Sequence, residues 1–333
     1  MELPINPLAR FIDIYEELNK TKGYFVDSSS LRFAAITALC CKGEASDVAR
    51  QIRSKGDEIK ELSGWFGELN SPLRFIVSSI LVLNDDDAAD FLDEVKRVGK
   101  MFREADLRRG GIYETMAILL LRINGNKEPI QQDVIIKFKE IYEQMKKHHW
   151  WLTGPDDFPA CAALTGINEQ PPKVCDTVER IYQALKSKGF SSGDPLQTAA
   201  NLLYLSNLDP NEAASRYHNI STLFKQKGVS IWQSDYDELA ILSFLDHSAE
   251  VIVTRVLEHR ERMKELRPQP DINITFNLAA GITFLELVQR DKSHELITGA
   301  KALIDMQNVI NAQQAAAASA ASSACVVSAS ASG

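Results

Sequence analysis

The twelve residues from His148 to Pro159, HHWWLTGPDDFP, gather two His, two Trp and two Asp beside an apolar run. Such a set is the raw material of a metal site, an acid–base pair or an aromatic platform for a ligand. Spacing argues against the metal. Adjacent side chains on a helix point about 100° apart, so His148 and His149 cannot readily share one ion. No HxxxH or HExxH completes a ligand set, and His218, His247, His259 and His294 are scattered. No metal is expected. Two readings of the segment stay open: a structural loop with packed Trp, or a site where Trp150 and Trp151 stack on a ligand. Asp156 is expected to cap the helix that opens at Phe158 and Pro159, because Pro is tolerated where the N–H is unpaired. Asp157 is then surplus to capping, and is expected to reach toward Arg74 or Arg109.

Elsewhere the chemistry is thin. There is no GxSxG, no SxxK, no GxxxxGK[ST] and no GxGxxG after a strand. A nucleophile elbow or a nucleotide cradle is therefore not indicated, and no cofactor is expected. Gly110–Gly111 behind Arg108–Arg109 offers a weak phosphate site at a helix start, against the plainer reading of a tight turn with solvated arginines. The five cysteines, Cys40, Cys41, Cys161, Cys175 and Cys325, are odd in number and lack CxxC spacing. That points to a reducing cytoplasm rather than a disulfide framework.

The elements that must position these residues emerge from self-similarity along the chain. One phrase, a turn-forming pair followed by an apolar anchor and a dense apolar stretch, occurs seven times. It reads SSLRFAAITAL at Ser29, SPLRFIVSSIL at Ser71, GGIYETMAILL at Gly110 and DDFPACAALTG at Asp156. It returns as DPLQTAANLLY at Asp194, SDYDELAILSF at Ser234 and INITFNLAAGI at Ile272. The anchors Leu31, Leu73, Ile112, Phe158, Leu196, Tyr236 and Ile274 stand 42, 39, 46, 38, 40 and 38 residues apart. Between the phrases runs a charged amphipathic segment, clearest in FIDIYEELNK, FKEIYEQMKK and VERIYQALKS. Its apolar residues at i and i+4 make one stripe on a helix.

The predicted fold is all-α: an α-α superhelix, solenoid or open α/α toroid, of about seven helix-pair repeats of ~40 residues. Small residues four after the anchor, such as Ala35, Ala162, Ala200 and Ala240, would let neighbouring helices approach closely. Residues 1–311 are read as one helical domain. Residues 312–333, almost all Ala and Ser, are read as a low-complexity tail that buries no core.

In stacked repeats the loops before the buried helices share one edge. Arg32, Arg74, Arg109, Glu114, His149, Trp151, Asp156 and Asp157 fall there and form the candidate ligand site, and Tyr113, Thr153, Asp194 and Gln197 lie on the same edge. The plain alternative for Ser29, Ser71, Asp156, Asp194 and Ser234 is helix capping. The 333 residues carry 37 Lys+Arg against 45 Asp+Glu, a net charge of −8, which argues against a nucleic-acid partner. No stretch supplies the ~20 apolar residues of a membrane span, and Met1–Arg10 lacks the layout of a signal peptide. A cytoplasmic protein with no membrane partner is expected. The function favoured is a binding scaffold for a peptide, protein or small ligand at the loop edge or concave face. The alternative is an α/α-toroid enzyme with Asp156, Asp157, His149, Arg74 and Glu114 at its mouth.

The stretch IYEQMKKHHWWLTGPDDFPACAAL, Ile141 to Leu164, resembles the most distinctive segment of a Gram-positive, Bacillus-type family. That family is catalogued as a domain of unknown function, number four thousand and three. The likeness runs from about Phe11 to about Ala312 and implies a helical bacterial protein. It implies no activity, cofactor or catalytic residue.

Overall fold

Charge on one side and apolar residues on the other dictate the odd-numbered helices; apolar residues on all sides dictate the even ones. A computed structural model describes residues 3–20, 26, 28–64 and 68–288. Along them run α1 (Pro7–Lys20), α2 (Ser28–Thr37), α3 (Ala45–Ser63), α4 (Arg74–Leu83), α5 (Ala88–Glu104), α6 (Ile112–Asn124) and α7 (Gln132–His148). They continue as α8 (Phe158–Thr165), α9 (Pro171–Ser187), α10 (Asp194–Tyr204), α11 (Pro210–Gln226), α12 (Tyr236–Leu242), α13 (Ala249–Met263) and α14 (Ile272–Leu287). No strand occurs among the described residues. The tail read at residues 312–333 lies outside them.

Each of the seven anchors lies in the first turn of an even-numbered helix or immediately precedes it, and each charged segment lies on an odd one. In α1, Phe11, Ile14, Tyr15 and Leu18 form the buried stripe, one residue per turn. In α9 the stripe is Val174, Val178, Ile181 and Leu185. The opposite faces carry i,i+3 ion pairs such as Lys96–Asp93 and Arg255–Glu258. These exposed pairs contribute little to stability and mainly keep that face in water. In α2 every residue from Ser29 to Thr37 is buried. Hydroxyls inside such helices would be costly if unmatched. Ser79, Thr165, Ser243 and Thr283 therefore donate to the carbonyl four residues back, at 2.9, 2.7, 2.7 and 2.8 Å.

Odd helices pack on odd neighbours and most even helices on even ones, giving an outer and an inner layer. The two ends of the inner layer meet, a point that the repeat pattern leaves undecided. The last inner helix, α14, lies against α2 and α1. Arg32 of α2 donates from its guanidinium to the Pro268 carbonyl just before α14, and its cation sits 4.9 Å from the Tyr15 ring centre. The helices touch where Gly281 faces Ile36: a Cβ on Gly281 would stand 2.8 Å from Ile36 Cδ1. Closure depends on this contact between distant segments, which no local pattern encodes.

Candidate functional site: the loop edge before α8 and α10

Phe158 is the anchor that fixes this edge. It is fully buried, with ring centres of Phe102, Phe138 and Tyr142 at 5.8, 5.5 and 5.3 Å, all edge-on. Gly110 lies so close that an added Cβ would stand 2.9 Å from the Phe158 ring. The preceding turn, Pro155–Asp157, is a single 3-10 turn, and α8 opens behind it at Asp157, whose side chain makes no hydrogen bond to the first turn of that helix. Asp157 Oδ2 accepts the Gly154 N–H three residues back, at 3.0 Å, while Asp156 is exposed. Asp157 Oδ1 accepts from Gln197 Nε2 at 3.2 Å, so its partner across the helices is an amide and not Arg74 or Arg109. Gln197 Nε2 also reaches Thr153 Oγ1 at 3.5 Å.

Burial, and then the charges of Asp156 and Asp194, push the Asp157 carboxyl up to about 7, against the pull of the Gly154 N–H and Gln197. Asp194, at the start of α10, is raised by partial burial and by Asp156. The phenol of Tyr113, at the start of α6, is raised by burial and again by Asp156. Asp156 thus lies within electrostatic range of groups that open three consecutive inner helices.

Beside this turn, His149 Nε2 meets Glu179 Oε2 at 2.7 Å, and its ring centre stands 4.5 Å from that of Tyr182. His148 Nε2 lies 3.4 Å from Asp176. Trp151 stands edge-on to His149, at 6.2 Å, and to Trp150, at 5.8 Å. Both indoles are exposed, 74% for Trp150 and 65% for Trp151, so the loop is not held by Trp packing. A small hollow of about 10 Å³, room for about one water molecule, opens between α7, α9 and α10. His149, Glu179, Tyr182, Gln197 and Asn201 supply its polar lining, and Met145, Cys175 and Val178 its apolar one. The Cys175 thiol is pushed up to about 12, mainly by burial, so it is a packing group and not a nucleophile.

The decisive residue is Asn201, only 2% exposed, whose amide nitrogen and oxygen both lack a hydrogen-bond partner. Gln197, 3% exposed, leaves its Oε1 unpartnered as well. A wider hollow of about 380 Å³ between Arg216, Asp246 and His247, beyond the far end of α12, has no such buried, unsatisfied atom in its lining.

The other candidate residues are drawn elsewhere. Arg32 is locked into the ring closure. Arg74 donates to Ser71 O at 3.0 Å and lies over the Phe75 ring at 4.4 Å; its guanidinium pKa is lowered by burial. Glu114 pairs with Arg103 at 2.5 Å and accepts the Gly110 N–H at 2.9 Å. Arg109 is exposed. Of the eight candidates, His149, Trp151, Asp156 and Asp157 stand together. Among the described residues no three His, Cys, Asp or Glu side chains are arranged to hold a metal ion.

With this geometry in place, the chain matches the family described as "Protein of unknown function (DUF4003)" over residues 14–315. The chain belongs to this family. A relative, the uncharacterized protein YeaA of Bacillus subtilis (strain 168), is 25% identical over 313 residues. The match covers 92% of this chain and 91% of the relative. No solved structure matches the chain. Among the described residues no helix is long and apolar enough to cross a membrane.

Glu179, Tyr182 and Asn201 are the site residues that motif reading misses. For Asn201 a signal exists. It interrupts the apolar core of DPLQTAANLLY five residues after the anchor with an amide, where other copies place Ile36, Ser78, Ala117, Ala163, Ile241 and Ala279. The register directly after the anchor carries a second signal. Arg74 Nε, Gln197 Oε1 and Asp237 Oδ1, all at that position, are buried polar atoms without a partner.

Proposed function

We propose that this protein is a binding scaffold that holds a ligand at the loop edge before α8 and α10. The Asn201 amide carries the reading. Leaving a buried donor or acceptor unmatched costs about 1–3 kcal/mol per group, and Asn201 leaves both of its amide atoms in that state. A ligand group entering the hollow would match them, and Gln197 Oε1 with them. The hollow has room for about one water-sized group, far below the roughly 300 Å³ of the smallest drug-sized pockets, so it suits a single small functional group, with the rest of the ligand along the rim.

The alternative, an acid–base enzyme, requires Arg74, Glu114, His149, Asp156 and Asp157 to converge on one point. Arg74 and Glu114 are committed to partners on α4, α5 and the loop before α6, which favours binding over catalysis.

Asn201→Leu tests the proposal. If Asn201 is reserved for a ligand, the substitution removes two unmatched groups and raises the unfolding free energy of the free protein by about 1 kcal/mol or more. It should also abolish the thermal stabilisation produced by any compound, from a small-metabolite panel, that binds the parent protein. Destabilisation by Asn201→Leu, with compound responses unchanged, defeats it.

A further inference from the structure

We infer that the group seated in the hollow between α7, α9 and α10 is an uncharged hydroxyl, so that the ligand of this edge is a polyol or a sugar. The inference rests on the binding reading above and adds the chemical class of what is bound.

The supply of hydrogen-bond donors and acceptors carries it. Gln197 and Asn201 both line the hollow, four residues apart on one face of α10, and both are almost wholly buried. Between them they leave two acceptors unmatched, Asn201 Oδ1 and Gln197 Oε1, and one donor, Asn201 Nδ2. Turning the Asn201 amide over exchanges its two atoms and leaves this inventory the same. Gln197 is held one way round, because its Nε2 gives to Asp157 Oδ1 at 3.2 Å. Its oxygen is what it has left to offer.

The other polar groups of the lining are committed. His149 Nε2 meets Glu179 Oε2 at 2.7 Å, and Glu179 Oε1 accepts from Gln183 Nε2 at 2.7 Å. The Tyr182 hydroxyl accepts the Gly193 N–H at 3.3 Å, and His148 faces Asp176.

This inventory selects among groups with one heavy atom at the tip, the size the hollow takes. An ammonium only donates. It would turn a desolvated cation toward the Asn201 N–H, with no uncommitted acid in the lining to balance it. A carboxylate or phosphate oxygen only accepts, and would set a negative charge against two amide oxygens. A hydroxyl donates and accepts at once, and a second hydroxyl on the adjoining carbon supplies the further donor. Hydroxyls on adjacent carbons are the mark of polyols and sugars. The rim agrees with this. His149 belongs to the lining, and the exposed Trp151 ring stands edge-on to it at 6.2 Å, an apolar body for the C–H side of such a ligand.

The experiment titrates the full, isotope-labelled chain and follows the side-chain amide signals of Gln197 and Asn201 together with tryptophan fluorescence. The probes are sorbitol, myo-inositol and glucose, set against butylamine and succinate. The expected result is saturable binding of at least one polyol that shifts both side-chain amides, with butylamine and succinate without effect. The response should weaken at least tenfold in Asn201→Leu, and likewise in Gln197→Met, which keeps the length of the side chain and removes its amide. If butylamine or succinate shifts these amides at least as tightly as any polyol, the hydroxyl inference falls and the binding reading stands. If no probe shifts them, the hydroxyl inference falls; if Asn201→Leu is destabilising as well, the hollow is a structural water site and both fall.

Discussion

The lead-ins to α8 and α12 are built alike and end up chemically different. Each is one 3-10 turn, Pro155–Asp157 or Gln233–Asp235, closed by an Asp that accepts the N–H three residues back, at 3.0 Å from Gly154 or 2.8 Å from Trp232. Each is followed by a buried aromatic anchor among aromatic neighbours, Phe158 in one case and Tyr236, beside Phe190 and Tyr217, in the other. Each leaves a Trp exposed. The Asp at the second turn has Ser234 as a hydrogen-bond partner and the charge of Arg260 to favour its ionised form. Asp157 has a neutral amide and two further carboxylates. The same turn therefore carries an Asp beside a hydroxyl and a cation at α12, and an Asp crowded by carboxylates at α8. Across-helix neighbours decide which, not the turn itself.

Removing an anchor should break both lead-ins. Phe158→Ala empties a fully enclosed position and should cost about 3–5 kcal/mol by urea denaturation. Tyr236→Phe keeps the ring and loses only the oxygen that accepts the Ser191 N–H, so about 1 kcal/mol is expected.

Asp157→Asn sharpens the comparison through pH. The fold favours protonated Asp157, so its contribution is full below the ordinary carboxylate range and is lost as pH climbs from about 4 to about 7. The amide does not titrate. It can still accept from Gly154, and a flipped Gln197 would offer it Oε1. The variant should thus match the parent near pH 4 and exceed it by one to a few kcal/mol at pH 8. The charged groups acting on Asp157 are Asp156 and Asp194. Asp235→Asn should show the same sign and a smaller gain, because Arg260 and Ser234 already favour the charged form there. A larger gain at Asp235 would overturn the comparison.

The smallest effects belong to the exposed residues. Trp151→Ala, Trp232→Ala and Asp156→Ala should each move stability by less than about 0.5 kcal/mol. Only Trp151→Ala and Asp156→Ala, at the proposed binding edge, should weaken binding of a compound that stabilises the parent protein, as read by calorimetry.

Periodicity made the layering legible: the anchors mark the even helices, and the IY-containing segments mark outer ones. Capping logic failed at Asp156 and Asp157 because it assumes that a helix begins after the first polar residue. The intervening 3-10 turn moves the helix start to the second Asp, whose carboxylate turns back to the Gly154 N–H, as that of Asp235 does to Trp232. Arg32 and Arg74 share a register and look like rim charges. Yet one is tied to Pro268 and the other to Ser71, and nothing near either residue in sequence announces the first of these bonds. Asn201 was visible as a polar interruption, but only its burial without partners gives it meaning.

The closure through α14 also governs how the molecule comes into being. An array touching only its neighbours can consolidate one pair at a time as it leaves the ribosome. Here the Arg32 guanidinium finds its acceptor 236 residues later, so α2 keeps an uncovered face until nearly all of the described chain has been made. The final docking step is the one with the greatest loop-closure entropy, and it slows assembly while stiffening the finished ring. A circular order also makes the position of the ends interchangeable. New termini cut into an exposed turn such as Lys188–Gly189, with the ring seam bridged by a linker, should preserve the same architecture while advancing the moment at which α2 is covered.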